Sequence, residues 1–230
     1  MRKEEICVDK QAIKVRIENA LRRFAAVSSP SANASLVPQS LTVGKLYEAH
    51  VLSLVIEALA TEEQFAVTLV NSSLLPLKSS PGPINRSYAH FELRRGSVLC
   101  AEIWTDVEFI SLSCASQGRQ NAVQNGDYHE LDIMIADPGL TGRPLFTQVW
   151  LGVECKNTGY GKHLLKEILG VRRELSFLHD EQPTKFRRWP RTHVPAQPPS
   201  CLMVYTTDAA VTNYAAPGQV FGIDFVHENI

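Results

Sequence analysis

The sequence YHELDIMIADPGLTGRPLFTQVWLGVECKN occupies residues 128–157 and predicts the centre of a sheet. Two segments rich in β-branched and apolar residues, 128–137 and 145–157, flank the turn-forming PGLTGRP and are expected to pair as a hairpin. Side chains alternate between the faces of a strand, so Glu154 and Lys156 share one face at a strand end. Asp132 of the first strand can then lie beside Glu154.

The surrounding sequence predicts one sheet with helices packed against it. Apolar residues at spacings of three and four predict helices over 4–26, 43–60 and 161–179, the last with Leu178 as its final apolar position. Strands are expected in QFAVTLV, YAHFELR, SVLCAEIWT, VEFISLS, CLMVYTT and QVFGIDFV. Polar stretches at 114–127 and 181–200 predict loops. This order indicates a single α/β (α+β, mixed-sheet) domain.

Composition narrows the class of protein but points to no particular partner. The 230 residues are 44% hydrophobic, enough for a substantial core, and the net charge is only −1. Five cysteines are spread without a CxxC pair, which favours a reducing compartment over a disulfide framework or a zinc site. The apolar stretches are too short to span a bilayer, and MRKEEICVDK is no secretory signal. We therefore expect a cytoplasmic protein without a membrane segment.

The carboxylates predict a metal site. Glu48 lies at the N-terminal end of an apolar, core-facing stripe of the helix over 43–60, where a carboxylate needs a partner. Together with Asp132 and Glu154 it would form a set of hard oxygen ligands, which suits Mg²⁺ or Mn²⁺. Two simpler interpretations stay open: Glu154 and Lys156 form an ordinary ion pair, and Glu48 extends to solvent at the helix end.

The ordered set of Glu48 in GKLYEAHVLSLVIEAL, Asp132 in ELDIMIAD and Glu154-Cys155-Lys156 resembles the PD-(D/E)XK nuclease superfamily. The group it resembles is restriction-endonuclease-like, and the first helix is similar to that of Mrr-like members. The resemblance covers about 41–60 and 128–206. It implies an α-β-β-β-α-β core within a domain over 41–230, with a β-rich insertion at about 71–127. A helix and linker over 1–40 would precede this domain.

The resemblance also implies an activity. Asp132, Glu154 and Glu48 would bind Mg²⁺ or Mn²⁺, and Lys156 would orient or activate the attacking water for hydrolysis of a phosphodiester bond. The implied enzyme is a DNA endonuclease of restriction or antiphage-defence (antiviral) type, acting as a homodimer; RNA stays open as a substrate.

Basic residues near this site predict a nucleic-acid-binding surface. Lys162 and Lys166 lie off the apolar stripe of the helix over 161–179, and Arg187, Arg188 and Arg191 alternate with aromatics in the loop that follows. A solvated surface loop held by a buried Trp is the alternative. Two alternatives to an enzyme also stay open: a non-catalytic binding module of the same fold, and an unrelated α/β protein with a chance E-x-K triplet.

Overall fold

A computed structural model describes residues 9–27, 35–38, 40–72, 74–75, 77–78 and 80–230. Within them lie five α-helices: α1 (Lys10–Phe24), α2 (Val43–Thr61), α3 (Leu112–Ser116), α4 (Lys162–Leu175) and α5 (Ala215–Val220). The strands are β1 (Ala25–Val27), β2 (Ala66–Val70), β3 (His90–Arg95), β4 (Val98–Ile110), β5 (Tyr128–Ala136), β6 (Val149–Lys156), β7 (Phe177–Pro183), β8 (His193–Gln197), β9 (Cys201–Thr206) and β10 (Ile223–His227). The first residues of the helix expected over 4–26, and most of the expected linker, fall outside the described residues.

One mixed sheet of eight strands organises the described chain, in the order β1-β2-β3-β4-β5-β6-β9-β10. Neighbours from β2 to β6 are antiparallel, whereas β9 is parallel to both β6 and β10. The predicted hairpin of β5 and β6 is confirmed, with Ile133 opposite Val153. The prediction of a mixed α/β sheet is therefore confirmed. β3 and β4, which belong to the stretch 71–127, lie between β2 and β5 in this sheet.

Helices cover both faces of the sheet, and each face has its own apolar cluster. On one face α1 and α2 pack over Ile133, Val153 and neighbouring side chains. On the other face Ile168 of α4 packs with Leu202 of β9. Ten residues of α2 are buried, because this helix lies between α1 and the sheet. The side chain of Thr42 accepts the Lys45 N–H and fixes the start of α2.

Strand pairing overrides helical periodicity after α4. The predicted helix over 161–179 ends at Leu175, because Ser176 is extended (φ −170°, ψ 156°) and β7 pairs with β8. Leu178, expected on the apolar face, is 57% exposed. The predicted loop over 181–200 was also wrong in part, since it holds β8 and the end of β7. α3 begins two residues before the loop predicted over 114–127 and includes its first three residues.

Two further strand boundaries differ from the prediction. Most of SVLCAEIWT and the first four residues of VEFISLS, predicted as separate strands, form the single strand β4, which continues through Asp106 although that residue has φ +49°. The end of VEFISLS was wrongly predicted as strand, since Ser111 caps α3 and Leu112 and Ser113 belong to it. QVFGIDFV begins in α5, so only its second half is β10. No described helix combines the length and the apolar character needed to cross a lipid bilayer.

A buried carboxylate just after α2 anchors the turn that follows β7. The side chain of Glu63 is fully buried, and its Oε2 accepts hydrogen bonds from Arg95 Nη2 at 2.9 Å and from the Arg187 N–H at 2.7 Å. Its Oε1 accepts the N–H groups of Arg188 and, at 2.8 Å, of Trp189. Glu63 thereby satisfies three consecutive backbone donors.

Glu63→Gln should destabilise the protein by about 3 kcal/mol, because the amide loses the charge facing Arg95 and brings a donor toward backbone N–H groups. Urea unfolding measures this loss. Glu62→Gln is the matched control: Glu62 is exposed, so its change should stay within ~0.5 kcal/mol. Equal midpoints for the two variants would contradict this account of the turn.

Candidate metal centre

Three carboxylates, one each from α2, β4 and β5, converge. Glu48, Asp106 and Asp132 each offer an oxygen that lies within 4.8 Å of the oxygens of the other two. Asp106 reaches this position because its positive φ turns the side chain out of the normal alternation of β4; Asp tolerates this conformation better than most residues. Thr105 and Val107 on either side keep their pairing with β5. We call Glu48, Asp106 and Asp132 the acidic cluster.

An ammonium group lies against two members of the acidic cluster. Lys45, one turn before Glu48 on α2, places its Nζ 2.6 Å from Glu48 Oε2 and 2.5 Å from Asp106 Oδ1. Lys78 adds a second contact, since its backbone N–H donates to Asp106 Oδ2 at 3.2 Å. These lysines offset part of the negative charge that the cluster concentrates.

Glu154 and Lys156 adjoin the cluster through Asp132. The backbone N–H of Cys155, the residue between them, donates to Asp132 Oδ2 at 2.6 Å. Lys156 Nζ lies 2.9 Å from Glu154 Oε2 and 3.0 Å from Glu167 Oε1 of α4. Glu154 is 6% exposed, whereas the side chain of Glu167 is half exposed. Lys156 is therefore held between one buried and one solvated carboxylate.

Burial shifts the pKa values of these acids upward. Burial raises the pKa of Glu48 to about 7, with Lys45 opposing and the charges of Asp132 and Asp106 adding to the rise. Burial and the Asp132 charge raise the pKa of Glu154 to about 8 against the opposing effect of Lys156. Burial also raises the pKa of Asp132, although the Cys155 N–H and Lys156 oppose it. The two nearest ammonium groups therefore compensate the buried carboxylates only in part.

The pKa values of the two ammonium groups also rise, which favours their charged forms. Burial alone would lower the pKa of Lys45, but its hydrogen bonds to Asp106 and Glu48 raise it to about 12. Burial of Lys156 is likewise outweighed by the charge and hydrogen bond of Glu154, and its pKa lies above the usual lysine value. Both side chains therefore stay protonated at neutral pH.

The structure brings together most of the residues singled out in the sequence. Glu48 and Asp132 meet in the acidic cluster, and the side chain of Glu48 is only 15% exposed. Glu154 and Lys156 lie beside Asp132, but the Glu154 carboxylate contacts Lys156 and does not belong to the three converging oxygens. Asp106 was missed. In the sequence Asp106 is one of three acidic residues of β4, with Glu102 and Glu108, and the residue pattern does not distinguish it from them.

The predicted nucleic-acid-binding residues fall into two groups. Lys162 and Lys166 are exposed on α4, and the side chains of Arg187 and Arg188 are exposed beyond the turn that Glu63 anchors. Arg191 is instead engaged within the protein, with its Nε 2.6 Å from Asp224 Oδ1. The two aromatic residues of this segment, Phe186 and Trp189, pack against the core.

Comparisons of the chain with protein-family models, with curated proteins and with solved structures find no match. The function is therefore inferred from the chemistry of the acidic cluster. Its donors are carboxylate oxygens alone, which fits a hard divalent cation such as Mg²⁺ or Mn²⁺ better than zinc or copper.

Stabilisation by metal should depend strongly on pH. Because the pKa of Glu48 is raised to about 7 on folding, its contribution to stability is present below its ordinary pKa and is lost as the pH rises through 7. The metal-free protein should therefore melt lower near pH 8 than near pH 5.5. Mn²⁺ at about ten times its Kd should add ~1.4 kcal/mol near pH 8, about 3–6 °C in Tm, and less near pH 5.5.

Thermal melts in EDTA and in Mn²⁺ measure these shifts. Asp106→Asn should abolish the Mn²⁺ shift near pH 8, and Glu62→Gln, at an exposed position outside the cluster, should retain it. An identical Mn²⁺ shift at both pH values, or one that survives in Asp106→Asn, would remove the acidic cluster as the binding site.

Proposed function

We propose that this chain is a metal-dependent phosphodiesterase of PD-(D/E)XK type that cleaves nucleic acid, in its most specific form a DNA endonuclease. The observation that carries the proposal is the hydrogen bond from the Cys155 N–H to Asp132. This bond holds Asp132 next to the Glu154–Lys156 pair. Glu48 and Asp106 complete a group of four carboxylates around this bond, with the partly buried Lys156 and Lys45 beside them. A divalent cation held by such carboxylates, with a hydrogen-bond donor beside it, can neutralise phosphate charge and activate water for phosphodiester hydrolysis.

The order of elements supports the same proposal. α2 is followed by the antiparallel strands β4, β5 and β6, then by α4 and by β9, which is parallel to β6. This succession is similar to the α-β-β-β-α-β arrangement that the resemblance implies when β4 is taken as the first core strand, although β4 lies in the stretch 71–127 that was expected to be an insertion.

The proposed roles follow from the charges. Asp132, Glu48 and Asp106 would hold Mg²⁺ or Mn²⁺, and Glu154 would be the fourth carboxylate of the site. The bound cation would neutralise phosphate charge and lower the pKa of water. Lys156 stays protonated because its pKa is raised, so it acts as a hydrogen-bond donor toward water or phosphate and does not accept a proton. Glu154 and Glu167 orient its ammonium.

The substrate would lie over the basic side chains that remain exposed. Lys162 and Lys166 on α4, with Arg187 and Arg188, could follow a phosphate backbone toward Lys156. The choice of DNA over RNA, a homodimeric state and a role in restriction or antiphage defence rest on the resemblance. A cytoplasmic location is proposed from the five cysteines spread without a CxxC pair.

A second candidate is a non-catalytic module of the same fold that binds nucleic acid or protein. The position of Lys45 favours it, because an ammonium group between Glu48 and Asp106 stabilises the acidic cluster in the way a purely structural ion network would. Cleavage assays separate the two candidates: the enzyme requires a divalent cation to cut plasmid DNA, and the module binds without cutting.

Lys156→Ala should lower plasmid cleavage in Mg²⁺ or Mn²⁺ at least ~100-fold while leaving metal binding intact, because an ammonium group cannot ligate a cation. Asp132→Asn should lose both, as seen by calorimetry and by loss of supercoiled plasmid. Lys10→Ala, at an exposed position on α1, is the matched control and should cleave normally. Near wild-type cleavage by folded Lys156→Ala would refute the nuclease proposal for this site.

Replacing Arg187 and Arg188 together by Ala should weaken binding to unrelated duplexes about equally. The log–log slope of affinity against salt should fall by roughly 0.9 for each phosphate that the variant no longer neutralises. Arg191→Ala should change the slope less, since Asp224 already neutralises Arg191. Fluorescence anisotropy with two unrelated duplexes measures the slopes. A slope unchanged in the double variant would leave this turn as an ordinary surface.

A further inference from the structure

An apolar pocket opens between the C-terminal half of α4 and the hairpin of β7 and β8. Its volume is about 420 Å³, within the range of small-molecule sites. The apolar part of its lining consists of Leu169, Phe177, Leu178, Pro195, Ala196 and Phe221. The pocket shares no residue with the acidic cluster, so the cluster does not account for it.

A buried cation that has no counter-charge among the described residues borders this pocket. Arg172 of α4 is 4% exposed; its Nε donates to the Phe221 carbonyl at 3.0 Å and its Nη1 to the Ser200 carbonyl at 2.8 Å. The remaining nitrogen, Nη2, is buried and has no hydrogen-bond partner within the described part of the chain. Both groups that hold Arg172 are neutral, and within those described residues it forms no ion pair.

Such an arrangement is costly in the absence of an anion. A buried guanidinium normally pairs with a carboxylate or phosphate, because its desolvation is otherwise uncompensated. Burial lowers the pKa of Arg172 to about 10, which reflects this cost. Arg173 and His179 also line the pocket, so its polar groups add basic character and no carboxylate.

We propose that this pocket binds a small organic carboxylate, which pairs with the Arg172 guanidinium by drawing its buried Nη2 toward the pocket, with an apolar body against Leu169, Phe177 and Phe221. Nε and Nη1 already donate to the protein, which leaves one nitrogen for the ligand and matches a singly charged head group. A phosphate would carry more charge and more bound water into a lining that is mostly apolar. The ligand class is therefore a medium-chain or aromatic monocarboxylic acid.

The occupant can be tested on the 230-residue protein with three probes of equal chain length. Calorimetry should show one-to-one binding of decanoate at least ~10-fold tighter than that of 1-decanol, with no binding of decyltrimethylammonium. The result should be the same in EDTA as in Mg²⁺, because the pocket lies outside the acidic cluster. Equal affinity for decanoate and decanol, or no binding of decanoate, would overturn the proposal.

Two substitutions of opposite charge at one exposed position that lines the pocket provide matched variants that should fold. Leu178 is 57% exposed, so Leu178→Asp and Leu178→Lys change charge at a solvated position. Leu178→Asp should weaken decanoate binding at least ~10-fold, and Leu178→Lys should retain or strengthen it. Changes of equal size in the two variants would contradict a site that recognises negative charge.

Arg172→Met and a peptide probe complete the test. Arg172→Met, checked by a cooperative melt, should abolish the preference for decanoate over decanol, whereas a retained preference would exclude Arg172 as the anchor. N-acetyl-Leu-Phe and its amide test the other occupant, the carboxyl end of a polypeptide. Tighter binding of this free acid than of decanoate would overturn the small-molecule assignment.

Discussion

Carboxylates that are removed from water repel one another, and this repulsion is the constraint that the centre of this molecule has to satisfy. Glu48, Asp106 and Asp132 bring oxygens within 4.8 Å of one another, with Glu154 beside them. Lys45 and Lys156 offset part of the repulsion, and the backbone N–H of Cys155 offsets another part. The raised pKa values of Glu48 and Glu154 show that the compensation is incomplete. The carboxylates that α2, β4, β5 and β6 bring together therefore require further positive charge for full compensation.

The residues of this site come from distant parts of the chain, and their prediction from the sequence was correspondingly uneven. The pairing of β5 with β6 was predictable, because both strands and their turn lie close together in the chain and show clear strand patterns. Glu48 and Asp132 could be singled out as acids placed against apolar stripes. Asp106 could not, because its position depends on one positive φ within β4 and on the register of β4 against β5. Lys45 was also missed, since a lysine in the first turn of a helix is usually solvated.

Errors at the C-terminal end of α4 have a different physical origin. The apolar spacing that begins at Leu164 continues to Leu178, so periodicity alone extends the helix. In the structure, the backbone after Leu175 gains cross-strand hydrogen bonds with β8, and Leu178 lies at the surface and not in the expected core. The same change of structure opens the space beside Arg172. A local failure of helical periodicity thus coincides with an apolar pocket that borders an unpaired buried cation within the described chain.

The anchoring of the 187–189 turn by Glu63 has a geometric consequence. Glu48 lies in the first half of α2 and Glu63 lies just past its end, so the helix acts as a rigid spacer between the acidic cluster and the basic turn. At ~1.5 Å of rise per residue this spacer is about 22 Å long, roughly the length of six or seven stacked nucleotides. The number of residues in α2 therefore sets the distance between the acidic cluster and the basic turn. Inserting or deleting one helical turn would change this distance by ~5.4 Å, more than one nucleotide step.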